Sequence, residues 1–255
     1  MKKYFGDYHT HTRYSDGKAL CRENIEAAIK KGLFEIGITD HGFKFPTHKA
    51  LSRKSFLTQK KEMEELKKEY SGRIKIYHGI EANIISLDGS IDLVDDEIFD
   101  KEILIVGYHR FAVPKSLRDF SRMFLVSNLK IKPSDKKVKD NTKAIISAIK
   151  KYPIDIIAHI NYLLKVDCYE VAKAAADYGT YIELNEKHCD SLSCDMFEGM
   201  LKTKVEFILN SDAHKVESIA NYKNIEKFLS LHNVDVNRIA NIENVPVFKD
   251  KSKHC

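Results

Sequence analysis

Short apolar runs alternate with longer amphipathic stretches along most of the chain. Tyr4 to His9 reads as a strand, and Glu23 to Gly32 as a helix with Ile25, Ala28 and Ile29 on one face and a glycine closing it. Phe34 to Thr39 is a second strand, a strongly charged helix runs from about Lys54 to Tyr70, and a third strand is Ile74 to Ile80. Beyond a hairpin around Asp88 and Gly89, the pattern gives strands at Glu102 to Gly107, Ile154 to Ala158, Tyr181 to Asn185 and Val205 to Leu209. Helices fall at Asn141 to Tyr152, Tyr169 to Tyr178 and Val216 to Leu231. Seven strands alternating with helices imply an α/β protein with a parallel sheet, open or closed.

One stretch breaks the rhythm. Arg110 to Lys139 holds nine lysines and arginines against Asp119 and Asp135, and reads as a basic insertion at about 110–139 in a single domain spanning 1–255. Long loops inside compact domains are usually lids or disordered segments. This one follows His109 directly and is expected to overhang whatever site His109 serves, attracting anions.

Composition narrows the class. With 43% hydrophobic and 31% charged residues, and no apolar run near the roughly 20 residues of a membrane span, no membrane role is expected. The N-terminal Met1 to Asp7 has no signal-peptide apolar core, so the expected location is cytoplasmic. Five scattered cysteines read as reduced thiols, and Cys189 and Cys194 have no second pair to complete a structural zinc site. A net charge of +5 favours acidic substrates only weakly.

The informative feature is where the ligand-type residues fall. Strand one runs into His9 and His11, with Asp16 in the turn beyond; strand two into Asp40 and His41; strand three into Glu81; strand four into His109; strand five into His159; strand seven into Asp212 and His214. Only strand six lacks such a terminus. Residues two apart on a strand face the same way, so His9 with His11 and Asp212 with His214 form ligand pairs. Parallel strands joined by helices place their C-terminal ends on one face, where α/β proteins build their sites. Imidazoles and carboxylates without thiolate suit Zn²⁺, Mn²⁺ or iron in hydrolytic centres, and so many groups exceed what one ion takes up, giving a cluster of two or three metals. His48, His78, His188, His232 and His254 fall elsewhere and are assigned no chemistry.

The motifs HTHTRYSDG at His9 to Gly17, TDHG at Thr39 to Gly42, GIEAN at Gly79 to Asn83 and NSDAH at Asn210 to His214 resemble those of the PHP family, named for polymerase and histidinol phosphatase. Gly89-Ser90-Ile91-Asp92 and the spacing of the later motifs are most similar to the small stand-alone phosphatases of that family. The resemblance implies a distorted (β/α)₇ TIM-like barrel with a trinuclear metal site at the C-terminal strand ends. It carries over as ligands His9, His11, Asp16, His41, Glu81, His109, His159, Asp212 and His214. Two departures bear on substrate identity: Arg110 opens the long basic segment, and Ile160-Asn161 follows His159 where many relatives have proline.

Clustered cations lower the pKa of a bound water and neutralise phosphoryl oxygens, so the expected activity is metal-dependent hydrolysis of a small phosphate monoester by a metal-bound hydroxide. Glu81 is expected to bridge two metals. Asp40 is read as an acceptor that orients a ligand histidine, or else as a general acid. Arg13 and Lys187 are candidates to grip phosphate, and Glu183 and Asn185 would point into the barrel. Histidinol phosphate is the family-typical substrate, although nothing in the residues singles it out. A phosphodiesterase or nuclease using the same metals is the alternative, with nucleic acid as partner, and a non-catalytic PHP module is a third. Oligomeric state is left open.

Overall fold

The computed structural model describes residues 4–43, 50–93, 103–110, 112–124, 132–232 and 234–251. Glu102 of the expected fourth strand, residues 111 and 125–131 of the basic stretch, and His48 and His254 lie outside them.

Seven parallel strands form one sheet in chain order: β1 (Gly6–Asp7), β2 (Glu35–Ile38), β3 (Lys75–Asn83), β4 (Ile103–Gly107), β5 (Ile156–Ile157), β6 (Tyr181–Asn185) and β7 (Phe207–Asn210). Strictly sequential order with helical crossovers is the signature of a barrel, and the sheet curls into one that is nearly closed. Among the described residues, helices α1 (Cys21–Lys30), α2 (Arg53–Glu69), α3 (Asp135–Lys151), α4 (Cys168–Asp177) and α5 (Cys194–Leu201) pack outside, and α6 (Lys223–Ser230) follows β7.

Three elements differ from expectation. Helix α5 was not read from the sequence, although Ser193 caps it and Phe197 and Met200 bury one side. The final helix is broken into a 3₁₀ turn, Val216–Ser218, and α6. The basic stretch is not one loop: residues 117–124 are helical, and Asp135 to Lys139 already belong to α3.

Alternation along the strands sorts inside from outside. Ile103, Ile105, Ile156 and Ile208 join Tyr8 and Tyr181 in a cluster within the barrel, while Leu104, Val106, Ile182 and Leu209 pack outward under the helices. By the same parity Glu81 shares the inner face of β3 with Tyr77, and Glu183 that of β6 with Tyr181. The inner stack is therefore apolar at the N-terminal ends of the strands and acidic toward their C-terminal ends. Below it, Phe248 of the C-terminal tail meets Tyr8 and Tyr77 edge-on, with ring centroids 5.1 Å apart in each case. Lys251, itself buried, pairs with Asp155 at 2.5 Å.

The barrel closes between β7 and β1 mainly through side chains. Asn210 Oδ1 accepts from Tyr8 N at 2.9 Å, and Asp7 Oδ1 from Ser211 N at 3.1 Å. Buried Asn241 spans the gap, donating to Gly6 O and Leu209 O while accepting from Leu209 N. Above it, His11 N donates to Ala213 O at 2.8 Å.

Candidate metal centre

At the C-terminal rim, Glu81 sits at the middle of a ring of histidines. Its Oε2 lies 3.2 Å from His9 Nε2, 3.6 Å from His11 Nε2 and 2.9 Å from His41 Nδ1. Its Oε1 lies 3.1 Å from His109 Nε2 and 2.9 Å from His159 Nε2. Asp212 Oδ1 is 3.4 Å from His11 Nε2, and Asp16 Oδ1 is 3.3 Å from His41 Nε2 and 3.0 Å from His214 Nε2. The structure thus brings the nine expected ligands together.

Donor atoms fall into three overlapping sets, each with all atoms within 4.8 Å: His11, Asp16, His41 and His214; His9, His11 and Asp212; and His41, Glu81 and His109. His9 Nε2, both ring nitrogens of His11 and Glu81 Oε2 are buried yet make no hydrogen bond. Leaving such atoms unsatisfied is costly in a protein interior, and a cation is the partner their chemistry suits. The donor set therefore fits divalent metal ions.

The local backbone is shaped around this ring. Gly107, on the inner face of β4, has no side chain because a Cβ would lie 2.6 Å from His159 Cε1. His159 and Asp212 adopt positive φ angles of 30° and 52°, a region that costs a non-glycine residue about 1 kcal/mol or more. Such strain is characteristic of positions set by a site.

Electrostatics follow from crowding in a dry environment. Burial opposes charge on His9, but Glu81, Glu183 and Asp212 outweigh it and hold its pKa well above the usual value. His41 is likewise raised to about 10, against burial, by Glu81 and Asp16. Burial, reinforced by His214 and His41, holds His11 well below its usual value, and burial takes His109 down to about 4 despite Glu81. Glu81 and Asp212 resist burial and stay well below the usual carboxylate range because of neighbouring histidines. Cations bound here would displace the protons that the carboxylates favour on His9 and His41.

Around the ring lie groups that orient it. Glu183 Oε1 is 2.7 Å from His9 Nδ1, and its Oε2 accepts from His159 N at 2.9 Å. Asn185 Nδ2 donates to Glu183 at 2.8 Å. Strand six therefore contributes after all, as holder of ligands. Asn83 Oδ1 lies 2.7 Å from His109 Nδ1 and is itself fixed by Asp92. Sequence reasoning gave Asn83 and Asp92 no role, although both lie in the quoted motifs.

The three residues expected to act on substrate fare differently. Lys187 reaches the ring, its Nζ 3.0 Å from Asp212 Oδ1 and 2.9 Å from His214 Nδ1. Arg13 does not: its exposed guanidinium donates to Lys18 O at 2.8 Å and lines a surface cleft with Glu23, Lys30 and Lys215. Among the described residues, the buried carboxylate of Asp40 hydrogen-bonds no ligand histidine. It accepts from Thr12 N and Oγ1, Ser15 Oγ and Gln59 Nε2, bracing the loop that carries His11 and Asp16. His188, assigned no chemistry, stacks on Tyr162 at 3.6 Å beside His159.

Comparison with known proteins agrees with this geometry. A model of the PHP domain matches residues 7–187. A protein named "Probable phosphatase" from Thermoanaerobacter sp. strain X514 is 32% identical over 218 residues, 82% of this chain and 78% of that one. The DNA polymerase/3'-5' exonuclease PolX of Bacillus subtilis strain 168 is 27% identical over 230 residues, 86% of this chain but 35% of PolX. The histidinol phosphate phosphatase of Lactococcus lactis subsp. lactis Il1403, solved with zinc, L-histidinol and phosphate, aligns with TM-score 0.63 at 20% identity over 89% of this chain and 92% of that one, which attests the barrel. The family match takes in every candidate ligand position from His9 to His159, and Asp212 and His214 complete the same ring: the chain belongs to the PHP domain family.

Proposed function

We propose that this protein is a divalent-metal-dependent phosphomonoesterase acting on a small phosphorylated molecule. The observation that carries the reading is the ring of nine His, Asp and Glu side chains centred on Glu81, in which His9 Nε2, both ring nitrogens of His11 and Glu81 Oε2 are buried without a hydrogen bond. Its relatives named as phosphatases support the same conclusion.

The three overlapping donor sets would suit up to three divalent ions, such as zinc, manganese or iron, and the central carboxylate of Glu81 would be the residue shared between neighbouring ions. Ions held there would supply Lewis acidity, activating water near neutral pH and neutralising phosphoryl charge. The chain supplies the rest. Glu183 and Asn83 accept from Nδ1 of His9 and His109, leaving each Nε2 lone pair toward the centre. Lys187, partly exposed at the rim, is the cation placed to donate to a phosphoryl oxygen. Asp40 and Arg13 are set apart from the ring by their own partners, and we assign them no contact with substrate.

No helix among the described residues is long and apolar enough to cross a membrane. Cys21, Cys168, Cys189 and Cys194 are free thiols, in keeping with a cytoplasmic protein. The similarity to PolX over most of this chain favours, as a second reading, a phosphodiesterase or nuclease at the same centre.

Protein reconstituted with Mn²⁺ or Zn²⁺ and offered p-nitrophenyl phosphate, bis(p-nitrophenyl) phosphate and a short oligonucleotide separates these readings. Release of phosphate from the monoester alone, abolished by a chelator, is expected. Preferred cleavage of the oligonucleotide would favour the second reading, and no cleavage of any of the three would overturn both.

A further inference from the structure

Beside the metal centre lies a cavity of about 920 Å³, at the upper end of the roughly 300–1,000 Å³ typical of small-molecule sites. Two of its lining residues adjoin the ring. Arg110, which lines it, directly follows His109, and Tyr162 lines it with its ring 6.3 Å from that of His159. A monoester anchored at the centre by its phosphate would lay its organic part here.

The lining has two characters. Met123, Val138, Leu163, Val166 and Met196 form an apolar surface, and Tyr162 adds an aromatic plate held flat against His188. Among the described residues, Arg110, Arg122, Lys132, Lys137 and Lys165 supply five cations against one carboxylate. That carboxylate, Asp135, opens α3, where the positive end of the helix offsets its charge. Arg110, Arg122, Lys132 and Lys137 form no ion pair among the described residues. Cations around a concave, partly apolar surface raise the local concentration of anions and bind them by charge-assisted hydrogen bonds.

We infer that the substrate is a phosphate monoester whose carbon skeleton carries a second anionic group, phosphate or carboxylate, bound by these cations while the first phosphate occupies the metal centre. This rests on the phosphomonoesterase reading. It also places cationic substrates, such as the amino alcohol ester histidinol phosphate, at a disadvantage, because their ammonium group would face like charge.

Matched pairs test the inference. Fructose 1,6-bisphosphate is compared with fructose 6-phosphate, and 3-phosphoglycerate with glycerol 3-phosphate, so that one arm adds phosphate and the other carboxylate. L-Histidinol phosphate and p-nitrophenyl phosphate complete the panel. In at least one pair the member with the second anion should show about tenfold higher kcat/KM, carried by KM. Raising salt from about 50 mM to about 500 mM should shrink that ratio. The double variant Arg122→Ala/Lys137→Ala, at solvent-accessible positions, should bring the two members to within about twofold by raising KM for the doubly charged one.

Turnover of p-nitrophenyl phosphate with ratios near one in both pairs, or with histidinol phosphate the best substrate, would overturn the inference and leave the phosphomonoesterase reading standing. A preference that survives the double variant would overturn the assignment to this cavity. Absence of p-nitrophenyl phosphate turnover in the metal-loaded protein would remove the underlying reading, and the inference with it.

Discussion

Nδ1 of His9 lies 2.7 Å from Oε1 of Glu183, with both side chains fully buried. A ring nitrogen so close to an ionised carboxylate carries the proton, and the other nitrogen is then the basic one. Glu183 thereby acts on the centre through a ligand. Glu183→Gln is expected to weaken metal affinity by about 10–100-fold, read by competition with a chromophoric chelator while the circular dichroism spectrum stays native. Unchanged affinity would remove Glu183 from this role.

His9→Ala and Glu81→Ala each delete a side chain at the rim, away from the apolar stack that holds the barrel. Both variants should lose bound metal by elemental analysis, and turnover with it, while remaining folded. Either one retaining full metal content and activity would contradict the ligand assignment.

His78, on the outer face of β3, is buried and lies 3.1 Å from Gln59 Oε1. Burial, with Lys67 and Lys60 nearby, lowers its pKa to about 3 from 6.5. The ring is therefore neutral in the folded state, whereas the unfolded chain takes up a proton as pH falls through 6.5. Its contribution to stability is present in full above pH 6.5 and is lost progressively as the pH drops toward 3. Urea denaturation across that window should show the wild type losing about 1.4 kcal/mol more per pH unit than His78→Asn. Parallel profiles would contradict the account.

Lys251 Nζ pairs with Asp155 Oδ2, and both side chains are almost wholly buried. Removing one partner of a buried pair leaves an uncompensated charge, at a cost of about 3–5 kcal/mol. Asp155 still accepts from Leu104 N and Lys249 N, so Lys251→Met should fall at the lower end, about 3 kcal/mol by urea denaturation. A loss below about 1 kcal/mol would show that the tail is not anchored by this pair.

Much of this molecule is legible in its sequence because two periodicities agree. Apolar runs of strand length mark the sheet, and a histidine or acid near the end of most of them marks the rim. Parity then places Glu183 and Asn185 inside without further information. The supporting residues are harder to read. Asn83 and Gln59 carry no pattern that sets them apart from other polar residues of their elements, and their roles depend on the partners that tertiary packing brings to them. Arg13 and Lys187 look alike as loop cations. Their fates diverge because the turn after His11 folds back, with Arg13 N donating to Ala19 O, and carries Arg13 away from the ring. Helix α5 had a cap and an apolar side in its sequence, but at eight residues it is too short for a strong periodic signal.

The closure between β7 and β1 has a consequence for how the molecule comes into being. Tyr8 and Asn210, which meet there, are 202 residues apart in sequence, and His9, His11, Asp212 and His214 stand on the two sides of that junction. A chain emerging from the ribosome thus presents His9 and His11 long before Asp212 and His214 exist. No partial product lacking β7 can assemble the centre, and any ion gripped from both sides would act as a clasp, joining an earlier-made part of the chain to a later-made one.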